Sequence, residues 1–273
     1  MPISDFSFYP LYVLSRYAKQ SVKAALTGDG SDELFAGYDT YRATMLNNYC
    51  GSIIRTPIVQ AINKSIGEHH LYERSKLSNL SRFLSFASMN SKQAHLSWRR
   101  IFSDSELINL GIQVRQGGES GKEKVILNIS DAMQLDRQTW LANNVLIKSD
   151  RASMNNGFEL RAPFLSPLVF QESEKLDPKY LTNYIQGKLL LREILKKEFD
   201  ISVKGKRGFI SPLSYWIRDD IDYFLETIVN SQIFDENCVK SICRNHADMR
   251  RNNAHKIYTL YVYSIWSKRM KES

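Results

Sequence analysis

Asp29, Asp32 and Glu33 crowd around Gly28 and Gly30 in the segment VKAALTGDGSDELFAGYDTYR, residues 22–42. Val22 to Leu26 reads as a short strand, and from Asp32 onward the pattern turns helical. The turn between them suits an anionic ligand. Glycines without a Cβ let backbone N–H groups approach closely. A helix start offers unpaired N–H groups and a positive dipole end, which favours phosphate. Three carboxylates would repel naked phosphate, but they make sense with Mg²⁺ between, since hard oxygen ligands hold that ion against phosphates. The same residues also suit an ordinary strand-to-helix turn with Ser31 or Asp32 as N-cap, and the glycines alone do not choose. A calcium loop fails, because Leu34 stands where glycine is required and Thr40 where a bidentate Glu is required.

Other groups could do chemistry. Lys206 lies in KGKRGF between Gly205 and Gly208, which makes either a solvated basic loop or one that lays a lysine over a ligand. Lys148, Asp150, Arg151, Glu159 and Arg161 form a second charged set. Glu159 and Arg161 are two apart, so in an extended segment they project to one side. The set reads either as a substrate pocket wall, with Lys148 or Arg151 facing an amino-acid carboxylate, or as a buried ion-pair lattice bracing the Pro163-Phe164 turn. Cys238, Cys243 and His246 are irregularly spaced for zinc and lack a convincing fourth ligand, so they read as core or surface.

Helical periodicity predicts the elements that hold these groups. It spans residues 8–20, 40–66, 75–101, 103–110, 125–148, 188–197 and 255–270. Residues 116–124, QGGESGKEK, read as a flexible loop with nothing to bury. An extended break falls at 160–163, where Ala162 precedes proline. The expected fold is predominantly α-helical with very few strands. With 273 residues, 43% apolar and 24% charged, the chain is neither disordered nor a membrane bundle. Its start, MPISDFSFYPLYVL, lacks the basic region and cleavage site of a signal peptide. Cys50, Cys238 and Cys243 make no even disulfide framework, which fits a reducing cytoplasm. The net charge of +8 favours a polyanionic partner (nucleic acid, anionic membrane or a small phosphorylated ligand), though the basic residues are dispersed.

TGDGSDELFAGYDTYR closely resembles the SGDGxDELFxGY signature of the asparagine synthase family. Further matches follow in the family's order. SDRASMNNGFELRAPFL (149–165) looks like D-R-x-S-M-x-x-G-x-E-x-R-x-P-F-L, GKLLLREILKK (187–197) is similar to K-x-x-L-R, and KGKRGFISPLSYWIR (204–218) is similar to K-x-G-F-x-x-P-x-x-x-W. Ser166 stands where the family usually has Asp. The resemblance covers the whole chain.

It implies the C-terminal part of an α/β adenine-nucleotide-hydrolase-like (ATP pyrophosphatase, Rossmann-like) synthetase domain, occupying residues 1–273. In such enzymes the side-chain carboxylate of aspartate attacks the α-phosphorus of ATP, giving β-aspartyl-AMP and pyrophosphate. Ammonia, derived from glutamine in the full enzyme, then displaces AMP to give asparagine. By resemblance Thr27, Gly28 and Gly30 are the ATP-contacting positions. Asp29 is the carboxylate tied to forming or using the acyl-adenylate, Asp32 holds magnesium and pyrophosphate, and Lys206 lies close to the reacting oxygens. The S-G-G-x-D-S loop that cradles the ATP pyrophosphate, and the glutaminase domain with its N-terminal cysteine, do not occur in this sequence. The expectation is therefore little or no ligase activity from these residues alone. Family relatives of the β-lactam synthetase or lasso-peptide cyclase type, and an inactive helical interaction module, are the alternatives.

Overall fold

The structure, a computed structural model, describes residues 2–54, 56, 80, 83–85, 87, 89–114, 127–203 and 211–272. The expected loop at 116–124 lies outside them, as does most of the second half of the helix expected at 40–66.

Helix α1, Phe8–Ala18, follows a turn in which Asp5 accepts hydrogen bonds from the backbone and the hydroxyl of Ser7, at 2.8 and 2.6 Å. Strand β1, Ala24–Leu26, leads into a loop and the single helical turn α2, Ser31–Leu34. Helix α3, Asp39–Ile54, comes next. Helix α4, Ser91–Ser97, is capped by Asn90, and α5, Asp104–Asn109, by a reciprocal Ser103–Glu106 capping box. A second box, Asn128–Asp131, opens α6, Ile129–Asp136.

The helix expected at 125–148 is continuous but not uniform. It widens into a π-helical stretch, Arg137–Val145, before α7, Leu146–Met154. Gly157, with φ of +59°, turns the chain out of α7 and into strand β2, Glu159–Arg161. The expected extended break is thus the parallel partner of β1, in the register Ala24↔Glu159, Ala25↔Leu160 and Leu26↔Arg161.

A 3₁₀ turn, Pro163–Leu165, precedes α8, Pro167–Glu174, whose N-cap is Ser166 accepting from the Val169 N–H. Serine therefore supplies the cap itself. After a second 3₁₀ turn, Pro178–Tyr180, come α9, Leu189–Phe199, α10, Leu213–Asp219, and α11, Ile221–Asn230. Helices α12, Glu236–Ala247, and α13, Ala254–Glu272, complete the order.

Two apolar cores organise the packing. One joins Leu34, Phe35, Ala36 and Tyr41 to Leu127, Met133 and Leu181, directly behind the β1–α2 loop. The other joins Leu110 and Ile217 to Ile228, Val239, Cys243, Ile257 and Leu260. The first core also holds a buried polar chain. Thr44 Oγ1 meets His95 Nδ1 at 2.9 Å, His95 Nε2 meets Asp136 Oδ1 at 3.1 Å, and Asp136 pairs with Arg99.

The two strands themselves are poorly covered. Parallel strands normally sit beneath structure on both faces, yet Leu26 is 75% exposed and Glu159 and Arg161 face solvent. Among the described residues no helix is long and apolar enough to cross a membrane.

Candidate functional site

The loop Thr27–Gly30 leaves the end of β1 and is pinned at its base by the Thr27 N–H donating to the Arg161 carbonyl at 2.8 Å. The two glycines have different physical reasons. Gly30 holds φ of +85°, and a Cβ there would lie 2.3 Å from Leu165 Cδ2. The fold itself demands glycine at that point, because Leu165 of the Pro163–Leu165 turn packs beneath it. Gly28 is exposed and has no positive φ, and its added Cβ would meet nothing closer than Ser31 Oγ at 3.7 Å. The chain's own packing makes no demand for glycine at 28.

The expected N-caps are corrected by the structure. Gly30, not Ser31 or Asp32, occupies the N-cap of α2, and it makes no side-chain cap. The left-handed turn at Gly30 rotates Ser31 inward, where its hydroxyl donates to the Gly28 carbonyl at 2.6 Å. With only four residues, α2 also lacks the length to sum a sizeable macrodipole. Any anion at the loop must be held by backbone donors and cations rather than by a helix end.

Asp29 is half-buried, and its backbone N–H donates to Thr27 Oγ1 at 3.4 Å. Its carboxylate makes no hydrogen bond or ion pair among the described residues, which leaves it available to a substrate. Asp32 is placed differently. Its Oδ1 lies 3.1 Å from Lys188 Nζ, with the two side chains 20% and 26% exposed. Lys188 also donates to Ser31 Oγ at 2.7 Å.

Glu33 is 1% exposed and accepts from the Tyr38 hydroxyl at 2.7 Å. Burial raises the Glu33 pKa above the ordinary carboxylate value, against the lowering effect of the Tyr38 hydrogen bond. The Arg99 guanidinium lies over the Tyr38 ring at 4.5 Å, so the acidic turn is backed by the buried Arg99–Asp136–His95 chain.

The second charged set does not stay together. Lys148 pairs with Asp5 Oδ2 at 3.2 Å, tying α7 to the turn before α1. Asp150 and Arg151 are exposed further along the same helix, and helical geometry turns Asp150 away from the Lys148–Arg151 face. Glu159 and Arg161 do project to one side and pair at 2.8 Å, but at 56% and 66% exposure they form a surface pair and not a buried lattice.

Arg192 is a backbone brace, donating to the carbonyls of Gly187 and Val203 at 3.1 and 2.9 Å. Cys243 is buried in the second core, and His246 Nε2 bonds the Ser214 carbonyl at 3.1 Å. Lys206, with Gly205 and Gly208, lies outside the described residues. Sequence reasoning had Lys188 only as the first residue of the K-x-x-L-R match and gave it no part in the site. The signal was the glycine before it, which marks a close backbone approach.

Magnesium is compatible with this arrangement. That ion is usually held by one or two carboxylates while phosphate oxygens and waters complete its shell. Asp32, partly accessible and paired with Lys188, would supply the protein's share. No group of three His, Cys, Asp or Glu side chains among the described residues could hold a metal ion, so a cation at Asp32 would complete its shell with water or phosphate.

Comparison with known proteins gives the same direction. The family model described as asparagine synthase matches residues 1–268. "Asparagine synthetase [glutamine-hydrolyzing] 1" of Bacillus subtilis (strain 168) is 25% identical over 277 residues, covering 97% of this chain and 43% of its own length. A "putative asparagine synthetase [glutamine-hydrolyzing]" of Mycobacterium tuberculosis is 24% identical over 283 residues, covering 97% of this chain and 42% of its own. One from Methanocaldococcus jannaschii is 28% identical over 175 residues, 60% of this chain and 32% of its own. No solved structure matches significantly. The chain spans less than half the length of these relatives. With its motifs in the family's order and the family model matched almost end to end, this chain belongs to the asparagine synthase family.

Proposed function

We propose that this chain carries the acyl-activating half of an ATP-dependent amide ligase, with aspartate as the acid and ammonia as the nitrogen donor. The observation that carries the reading is the pairing of an exposed glycine the fold does not require, Gly28, with the partly accessible Asp32 three residues after Asp29. Thr27, Gly28 and Gly30 present the loop backbone to the phosphates of ATP. Asp32 holds Mg²⁺, which when bound neutralises charge on the phosphate oxygens. Asp29 faces the reacting carbonyl. There its carboxylate orients the incoming ammonia and accepts its proton as the amide forms.

Lys206 stabilises charge developing at the α-phosphorus and the carbonyl oxygen. Of the second charged set, Arg151 is the residue we assign to the α-carboxylate of aspartate. Lys148 joins it only by exchanging its Asp5 partner, and Asp150, turned to another side of the helix, is left out of the pocket. The glutaminase and the pyrophosphate-cradling loop come from family regions outside these residues, in cis or in trans, and the protein works in the cytoplasm, where ATP and aspartate are present.

The test is ATP–pyrophosphate isotope exchange. The reading requires aspartate-dependent exchange when the chain is supplied with the family's preceding region, and little or none from the 273 residues alone. Exchange driven by a different carboxylic acid, with none for aspartate, would replace the substrate assignment. No exchange with any acid would overturn adenylation.

A further inference from the structure

Lys188 reaches the acidic turn through a path the backbone keeps open for it. It holds φ of +57°, a left-handed conformation that a residue with a Cβ adopts only against a steric penalty. Its N–H donates to the Phe35 carbonyl at 3.1 Å, which fixes the turn against the end of α2. Gly187 sits so close that a Cβ would fall 2.2 Å from the Ala36 carbonyl oxygen. A Cβ on Gly37 would lie 1.9 Å from Asp32 Oδ1 and 2.4 Å from Lys188 Cε, on the line between lysine and carboxylate. Two glycines and a strained lysine therefore converge to deliver one ammonium to Asp32 and Ser31. Because Ser31 in turn donates to Gly28, a hydrogen-bonded chain runs from Lys188 to the ligand loop.

A structural tether does not account for this arrangement. A partly exposed ion pair stabilises little, and the left-handed penalty at Lys188 offsets a gain of that size. Glycine or asparagine at 188 would make the turn with less strain. What lysine adds is a compact charge on a flexible stem, able to change partners without moving the backbone.

We propose that Lys188 is an exchangeable counter-ion: it neutralises Asp32 while the site is empty and passes its ammonium to phosphate oxygens when a magnesium-bound polyphosphate takes up Asp32. The proposal rests on the reading of Asp32 as the metal carboxylate. Lys188 keeps Asp32 and the incoming phosphates from facing each other uncompensated. Its departure also releases Ser31, so filling the site is coupled to the conformation of the Gly28 turn.

The probe is Mn²⁺ alone, titrated into the full chain without phosphate and followed by loss of the free-ion electron paramagnetic resonance signal. Lys188→Met removes the competitor and should tighten Mn²⁺ binding about two- to fivefold, the scale set by losing one weak ion pair. Lys188→Arg should stay near the parent value, and Asp32→Asn should remove the site in every background. If Asp32→Asn abolishes binding but Lys188→Met leaves it unchanged or weaker, the counter-ion proposal is overturned and Asp32 keeps its assignment. Binding indifferent to Asp32→Asn overturns both.

A second measurement uses the unsubstituted chain. Amine-reactive labelling of Lys188, read by mass spectrometry, should rise when Mn²⁺ is added and fall again with inorganic pyrophosphate. Labelling that ignores both additions also overturns the proposal.

Discussion

Gly30→Ala should be among the most damaging single-atom additions in this protein, and the reason is calculable. The new Cβ would stand 2.3 Å from Leu165 Cδ2 and 2.9 Å from Leu165 Cγ, on a backbone held at φ +85°. The left-handed conformation costs an L-residue about 1–2 kcal/mol, and forcing a methyl into packed surroundings about 1–3 kcal/mol. Reduced freedom of the unfolded chain returns about 0.4–1 kcal/mol. The net expectation is a loss of about 2–4 kcal/mol, equivalent to about 5–12 °C in Tm for a chain of this size. Urea unfolding followed by circular dichroism measures it.

Combining the change with Leu165→Ala separates the two contributions. The double variant should recover the steric part, so its loss should fall about 1–2 kcal/mol short of the sum of the single losses. A Gly30→Ala protein as stable as the parent, or additive losses in the double variant, would refute the claim that Leu165 dictates this glycine.

Gly28→Ala is the counterpart. Stability should change by less than about 0.5 kcal/mol, since its nearest contact would be an ordinary 3.7 Å, while affinity for magnesium-pyrophosphate measured by calorimetry should drop several-fold. Asp136→Ala should cost about 3–5 kcal/mol in urea unfolding, because it leaves Arg99 and His95 buried against each other without their shared carboxylate. Glu159→Gln breaks only a surface pair and should move stability by less than about 0.5 kcal/mol.

Asp5 carries a pH dependence. Burial raises its pKa, but Lys148 and the two Ser7 donors outweigh that and hold it below the ordinary 3.8. A depressed carboxylate contributes stability that is present above the ordinary value and lost as pH falls through the folded value. Asp5→Asn should therefore lower stability near neutrality and flatten its decline between about pH 5 and about pH 2.

The long helices were legible because their apolar spacing reports a buried face directly. Residues 188–197 and 255–270 match α9 and α13, with ends shifted by one or two residues. The π-helical stretch at Arg137–Val145 was not, since no side-chain signal marks the change from i→i+4 to i→i+5 backbone bonding. Strand β2 was read as extended from Pro163, but its parallel partner lies far back in the chain, and no local pattern encodes that pairing.

The glycine loop was legible as a unit, whereas the division of labour inside it was not. Gly30 owes its identity to Leu165, a contact that only the folded chain creates. The place of Lys188 beside the loop was hidden for the same reason, with 157 residues separating it from Ser31. Glu159 and Arg161 were correctly placed on one side of a strand. Their exposure depends on what covers that strand, which alternation cannot report.

The proposal that the loop seats metal-bound polyphosphate is tested most directly by paramagnetic broadening. Substoichiometric Mn²⁺ with inorganic pyrophosphate is added to the isotope-labelled chain while the backbone amide resonances are recorded. The amides of Gly28, Asp29, Gly30 and Ser31 should broaden first, and Asp32→Asn should restore them. Broadening that gathers instead around the cationic side chains of α12, with the loop amides left sharp, would contradict the account.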